Sequence, residues 1–164
     1  MARSPVWKQA VAAADLEPGE HLWALITAIT PAPDYGSGGL VLLAPLIPVI
    51  MAAHLAAWRK HSRAASIRTG FPLAPRMIIG VTDRRLIIWT ARRRWRIGAS
   101  LGSVKMDRIV AAEAPTVGSG WRSVIIHLSN QQELTIKVPA TAADRLAVAL
   151  SDPASGDVRA SDHE

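Results

Sequence analysis

The chain has 164 residues, of which 49% are hydrophobic and 20% charged, enough apolar material for one domain with a core, so wholesale disorder is excluded. It contains no cysteine, which rules out disulfides, thiolate zinc sites and a cysteine nucleophile. The formal net charge of +6 is unevenly spread: residues 59–96 hold eleven Lys/Arg against one acid, Asp83, a local excess that points to an anionic partner.

Ser4-Pro5 reads as a helix cap followed by proline at the first helical position. Val6, Ala10, Val11 and Ala14 keep one helical face until Pro18-Gly19 ends it, so an N-terminal helix occupies residues 1–19. In "EHLWALITAIT" (20–30), Leu22, Ala24, Ile26 and Ala28 alternate with their neighbours, which predicts a strand. Pro31 and Pro33 close it, and "DYGSGG" (34–39) is a turn or linker. Gly36 to Gly39 lack the third glycine of a dinucleotide loop, since Val41 stands there, and no P-loop Lys-Ser/Thr follows.

"LVLLAPLIPVIMAAHLAAW" (40–58) has no formal charge and is followed by Arg59, Lys60 and Arg63. As a helix it would be roughly 28 Å long, close to the ~30 Å hydrocarbon core of a bilayer. Three placements fit: a buried core helix, a transmembrane span with its basic flank in the cytoplasm, or a re-entrant or interfacial segment broken at Pro45 and Pro48. Membrane contact is the favoured expectation. One crossing would put strand 20–30 across the membrane from the remaining strands.

A polar link (61–70) precedes further strand signals. "RMIIGVT" (76–82) and "RLIIWTA" (85–91) flank a corner at Asp83-Arg84. Asp83 is expected to bond its own backbone in that turn, with Arg84 and Arg85 as flanking structural residues. Strands are also expected at 99–105, 108–114, 121–128 and 133–138, the last two joined by "SNQQ". Thr141-x-x-Asp144 resembles a capping box and opens a helix with Leu146, Ala149 and Leu150 on one face. The tail 151–164 reads as polar and disordered.

Seven strands in hairpin order, closed by an amphipathic helix, imply a mainly β fold: an antiparallel partial barrel plugged at its end. Val81-Thr82-Asp83-Arg84-Arg85-Leu86-Ile87-Ile88 resembles the hairpin of the bacterial pleckstrin-homology-like domains, the PH/GRAM-type superfold. Leu101-Gly102-Ser103-Val104 with Asp107-Arg108-Ile109, the Trp121 strand, and Glu133 to Ile136 with the closing helix are similar in their order as well. The resemblance covers residues 76–150. It implies a PH-like domain over 20–150, interrupted by a 31–75 insertion longer than such a connection needs. It also implies a binding or scaffold role without shared catalytic machinery.

Arg92-Arg93-Arg94-Trp95-Arg96 falls in the connection from the third to the fourth strand. Alternation in an antiparallel meander places it at the same end as the first connection, hence near Arg59, Lys60, Arg63 and Arg68. In the resembling family lipid headgroups are met at that end. These nine residues are the candidate anionic-lipid contact, at about 1 kcal/mol for each cation near an acidic leaflet. His21, His54, His61, His127 and His163 have no ligand spacing, His127 being expected to face solvent. No nucleophile elbow or paired-carboxylate site is visible, and no metal or cofactor is expected. The expectation is a non-enzymatic module at the cytoplasmic face of the cell membrane. Its partner would be the anionic membrane surface, a membrane protein, or a second copy through 40–58. Nucleic-acid binding, from interleaved Arg and Trp and a pI near 10.7, is the competing reading.

Overall fold

The computed structural model describes residues 5–32, 47–115 and 120–151. The proposed linker 34–39, residues 40–46 of the apolar segment, and the tail from 152 onward lie outside them. The described elements run α1 (Pro5–Ala13), β1 (Leu22–Ile29), α2 (Ile47–Thr69), β2 (Arg76–Thr82), β3 (Arg85–Ala91), β4 (Ile97–Lys105), β5 (Ile109–Glu113), β6 (Trp121–Leu128), β7 (Glu133–Pro139) and α3 (Ala140–Ser151). Short 3-10 turns at Arg93–Trp95 and Met106–Arg108 link β3 to β4 and β4 to β5. The protein is therefore mainly β, with seven strands where the sequence pattern places them.

All pairings are antiparallel, and the strands form one open sheet in the order β4-β3-β2-β1-β7-β6-β5. The two ends of the chain of strands meet in the middle, where Ile29 of β1 opposes Lys137 of β7. One face of every strand enters a single core. Ile26, Ile79, Ile88, Val104, Ala112, Ile126 and Ile136 represent the seven strands in it, and α3 adds Ala143, Leu146, Ala149 and Leu150. A sheet sharing one core across seven strands must curl. Trp95 and Trp121 measure that curl: their strands lie at least four spacings of about 4.8 Å apart in a flat sheet, yet the ring centroids are 5.6 Å apart.

α1 covers the outer face of the β1–β4 half. Ala14 packs there with Ile78, Ile87 and Trp89, joined by Leu16, Leu25, Ala91 and Ile97. A buried ion pair fastens the turn after α1 to the β2–β3 corner. Arg85 Nε and Nη2 donate to the two Glu20 carboxylate oxygens at 2.9 and 2.8 Å, and Glu20 has no exposed side-chain surface. Thr82 Oγ1 donates to Glu20 at 2.7 Å, and the Glu17 amide adds a fourth bond at 2.9 Å. The Arg85 guanidinium is the main cause that holds the Glu20 carboxyl down at about 2, from an ordinary 4.5; burial opposes the shift, and the Glu17 amide and Thr82 hydroxyl assist it. The same pairing raises Arg85 above its ordinary value.

Three local expectations are corrected. The β2–β3 turn is bonded by Thr82 Oγ1, which accepts from the Arg84 and Arg85 amides at 3.2 and 2.9 Å, whereas Asp83 accepts from the distant His21 amide. Asp144 forms an ion pair with Arg122 at 2.8 Å instead of a capping box, because β7 passes directly into α3 at Ala140. Residues 61–69 are helical and continue α2. His127 lies on the outward side of β6, as expected, and is partly shielded between Glu113 and Glu133 at 3.3 Å from each.

Candidate functional site

The strand register divides the connections between two ends of the sheet. Ile29 opposes Arg76 and Ala91 opposes Ile97, so the β1–β2 and β3–β4 connections share one end, as alternation requires. Trp121 opposes Pro139, which brings the start of β6 to that same end. This is the Trp95 end. The β2–β3 corner, the β4–β5 turn and the β6–β7 turn lie at the opposite, Asp83 end, tied by Met106 N to Arg84 O and Ser129 N to Arg108 O, both 2.9 Å.

α2 spans 23 residues, about 34 Å, and its two halves differ. From Trp58 onward it is seated on the domain. Trp58 Nε1 donates to the Thr30 carbonyl at 2.9 Å, at the Trp95 end. Ser62, Ala65 and Thr69 are buried beneath it. The Thr69 and Gly70 carbonyls accept from Arg108 at 3.4 Å, at the Asp83 end. Before Trp58 the helix is exposed on one whole side: Pro48, Val49, Met51, Ala52, Ala53, Leu55 and Ala56. Val49, Met51 and Leu55 are 65%, 62% and 40% exposed. None of these seven residues is polar. His54, the polar residue of this stretch, lies on the half-buried side with Ile50 and Ala57. After Trp58 the outward residues are Arg59, Lys60, His61, Arg63 and Arg68, with Ala64 and Ile67 between them.

The chain thus leaves the sheet at Thr30 and returns at Trp58, with a hydrogen bond between the two residues. β1 before this excursion and β2 after it are paired throughout their lengths. A single crossing of a membrane by 40–58 would separate these two hydrogen-bonded strands. Among the described residues no helix is long and apolar enough to cross a membrane.

The structure splits the nine candidate residues. Arg92, Arg93, Arg94, Trp95 and Arg96 form the tip at the Trp95 end, closed by Arg92 N to Arg96 O at 2.8 Å. Arg59 and Lys60 join that end through Trp58, and Arg63 follows one turn later along the seated helix. Arg68 does not join them, because α2 crosses to the Asp83 end before it ends. Among the described residues, none of these eight cations has a carboxylate within 4.0 Å, in contrast to Arg84, Arg85 and Arg122, which are paired with Glu17, Glu20 and Asp144. The sequence therefore contains two kinds of arginine, those that hold the fold and those left facing solvent.

Two features of this end escaped the sequence pattern. Arg94 and Trp95 both have left-handed backbone, with φ of 56° and 55°, an uncommon state for non-glycine residues. Arg76 places its guanidinium 5.0 Å from the centre of the Trp95 ring, and Trp121 packs on the same ring. Shallow clefts of about 470 and 360 Å³ flank the loop, the first lined by Arg92 and Arg96, the second by Arg94 and Trp95 with Leu25 and Ile78. Among the described residues no group of His, Asp or Glu could hold a metal ion.

No family model matches this chain, and no curated protein matches it.

Proposed function

We propose that the chain is a non-enzymatic, pleckstrin-homology-like module that docks on the cytoplasmic face of a membrane rich in acidic lipid. The observation that carries this reading is the change along one side of α2. Its outward residues are wholly apolar up to Leu55-Ala56 and mostly basic from Arg59, with Ala64 and Ile67 between the cations, and the change falls where Trp58 ties the helix back to the sheet. Apolar side chains followed by a basic collar match the order of materials met on leaving a leaflet.

The dimensions support one-leaflet insertion. Residues 47–57 rise about 15 Å as helix, half of a ~30 Å hydrocarbon core. Burying the exposed portions of Val49, Met51 and Leu55 contributes roughly 3 kcal/mol. Arg59, Lys60, Arg92, Arg93, Arg94 and Arg96 stand at the same end and add about 1 kcal/mol each before screening. The seven-stranded order and the capping helix support the PH-like reading, alongside the Val81–Ile88 hairpin sequence.

Co-sedimentation with phosphatidylglycerol-containing and pure phosphatidylcholine vesicles across a salt series tests the proposal. The full chain is expected to stay bound to acidic vesicles at high salt. Met51→Asp with Leu55→Asp should make that binding salt-labile. Changing Arg92, Arg93, Arg94 and Arg96 jointly to Ser should weaken it most at low salt. A full chain that pellets with neither vesicle overturns the proposal. So does an arginine variant that binds acidic vesicles like the parent while its affinity for RNA or DNA collapses, which would assign the cluster to nucleic acid.

A further inference from the structure

We propose that Trp121, Trp95 and Arg76 form an aromatic anchor that seats the Trp95 end at headgroup depth. The inference rests on the membrane reading above and adds Trp121, which no charge pattern marks.

The three residues come from three separate places in the chain: Arg76 opens β2, Trp95 ends the β3–β4 turn, and Trp121 opens β6. The β2–β3 pairing sets Arg76 beside the Trp95 turn, and the curl of the sheet brings Trp121 to the same place. The indole rings lie 5.6 Å apart at an interplanar angle of 33°, and the Arg76 guanidinium sits over Trp95 at 5.0 Å. Trp95 is half-buried, since its remaining surface lines the cleft against Leu25 and Ile78. Trp121 is 42% exposed, an unusually bare indole at the rim. An exposed, apolar ring with one donor fits the boundary between headgroups and acyl chains better than it fits water.

The backbone supports a preorganised patch. Arg94 and Trp95 occupy left-handed conformations in succession. Such states are costly for residues other than glycine, and they persist where the surroundings hold them. Trp121 and Arg76 supply that hold on Trp95. Trp95 is therefore the positioning residue, and Trp121 is the one that enters the interface. The patch shares its end with Arg59, Lys60 and the Trp58 tie, so the apolar arm, the cations and the indole approach one plane. Their physics differs. Cations act at long range and are screened by salt, whereas an indole acts on contact and is not.

The test compares the full chain with Trp121→Ala and Trp121→Phe on phosphatidylglycerol–phosphatidylcholine vesicles at low and high salt. Trp121→Ala should weaken binding about tenfold at both salt levels, and Trp121→Phe by a smaller factor. On vesicles whose lipid carries bromine near the glycerol end, tryptophan emission of the parent should be quenched more than that of Trp121→Phe. That second measurement decides the matter if Trp121→Ala fails to fold. Parent-like binding and equal quenching in the variants overturn the anchor while leaving the membrane reading intact. If the parent itself binds no vesicle, the membrane reading fails and takes the anchor with it.

Discussion

The two halves of the sheet solve the burial of a strand differently. In the β1–β4 half the two middle strands β2 and β3 are covered on both faces: Met77 to Thr82 of β2 are buried without a break, as are Leu86 to Trp89 of β3. The core lies on one side and α1 with Leu16 on the other. In the β5–β7 half the described residues cover only one face. Along β6, buried Arg122, Val124, Ile126 and Leu128 alternate with the more exposed Ser123, Ile125 and His127, and β7 behaves alike. Unbroken apolar runs thus mark strands that need a second layer, and alternating ones mark strands that meet water. α1 is the consequence of "MIIGVT" and "LIIW", and the Glu20–Arg85 pair keeps it in place.

The largest effect should come from the core that both halves share. Leu146 is fully buried in α3 among residues of β5, β6 and β7. Leu146→Asp places a carboxylate in an apolar site with no partner, which costs several kcal/mol, a large share of a typical domain's 5–15 kcal/mol. The variant is expected to show no cooperative thermal transition, whereas Arg93→Ala, on the exposed tip, should melt within a degree or two of the parent. Similar melting curves for the two would mean that α3 does not close the core.

Most of this architecture is legible in the sequence. β6 and β7 alternate with period two, β2 and β3 are short apolar runs bounded by turn residues, and α3 repeats at helical spacing. α2 does not. Its seated half turns Ser62, Ala65 and Thr69 inward, small or hydroxylated residues that no apolar count registers as a buried stripe. Ser62 and Thr69 return their hydroxyls to the Trp58 and Ala65 carbonyls at 2.9 and 2.8 Å, satisfying themselves within the helix. Residues 61–70 therefore read as a polar link. Glu20 is hidden in the same way: as a sequence letter it is a charge beside a turn, and only the fold shows four bonds converging on it. The arginine tip was legible as charge, but its companion Trp121 was not. It is 26 residues from Trp95, and curvature of the sheet has no signature in local spacing.

The second effect concerns the ion pair that separates the halves. Glu20→Gln should cost about 2 kcal/mol, since Arg85 then keeps a largely desolvated charge without its counter-charge, partly relieved by its remaining exposure of 21%. The loss should fall on the α1-covered half, so amides of β2 and β3 facing α1 should exchange hydrogen faster while those of β6 and β7 stay protected. The same carboxylate makes stability depend on acid. Its folded-state pKa of about 2 lies below the ordinary 4.5. Its contribution, on the order of 3 kcal/mol, is therefore full above pH 4.5 and is lost as pH falls from there towards 2. Denaturant titrations of the parent between pH 6 and 3 should show that loss, and Glu20→Gln should show less of it. An equal acid slope in both would remove Glu20 from the account.

The smallest effect is the sharpest test of the comparison, because it uses one methyl group on each outer face. Ile87 of β3 and Ile125 of β6 both point away from the shared core, since their neighbours Ile88 and Ile126 point into it. Ile87 is 4% exposed beneath α1, whereas Ile125 lies on a face that no described helix covers. Ile→Val at a buried position removes one methylene and leaves a small void, about 1 kcal/mol. At a half-exposed position the void fills with water and the change stays within about 0.5 kcal/mol. Both strands keep a β-branched residue, so strand propensity cancels between the two variants. Urea unfolding should give a lower midpoint for Ile87→Val at unchanged slope, and a parent-like midpoint for Ile125→Val. If the two midpoints coincide because both fall, something covers the outer face of β5–β7 in solution, and a second copy of the chain would then be sought by a concentration dependence of the Ile125→Val midpoint.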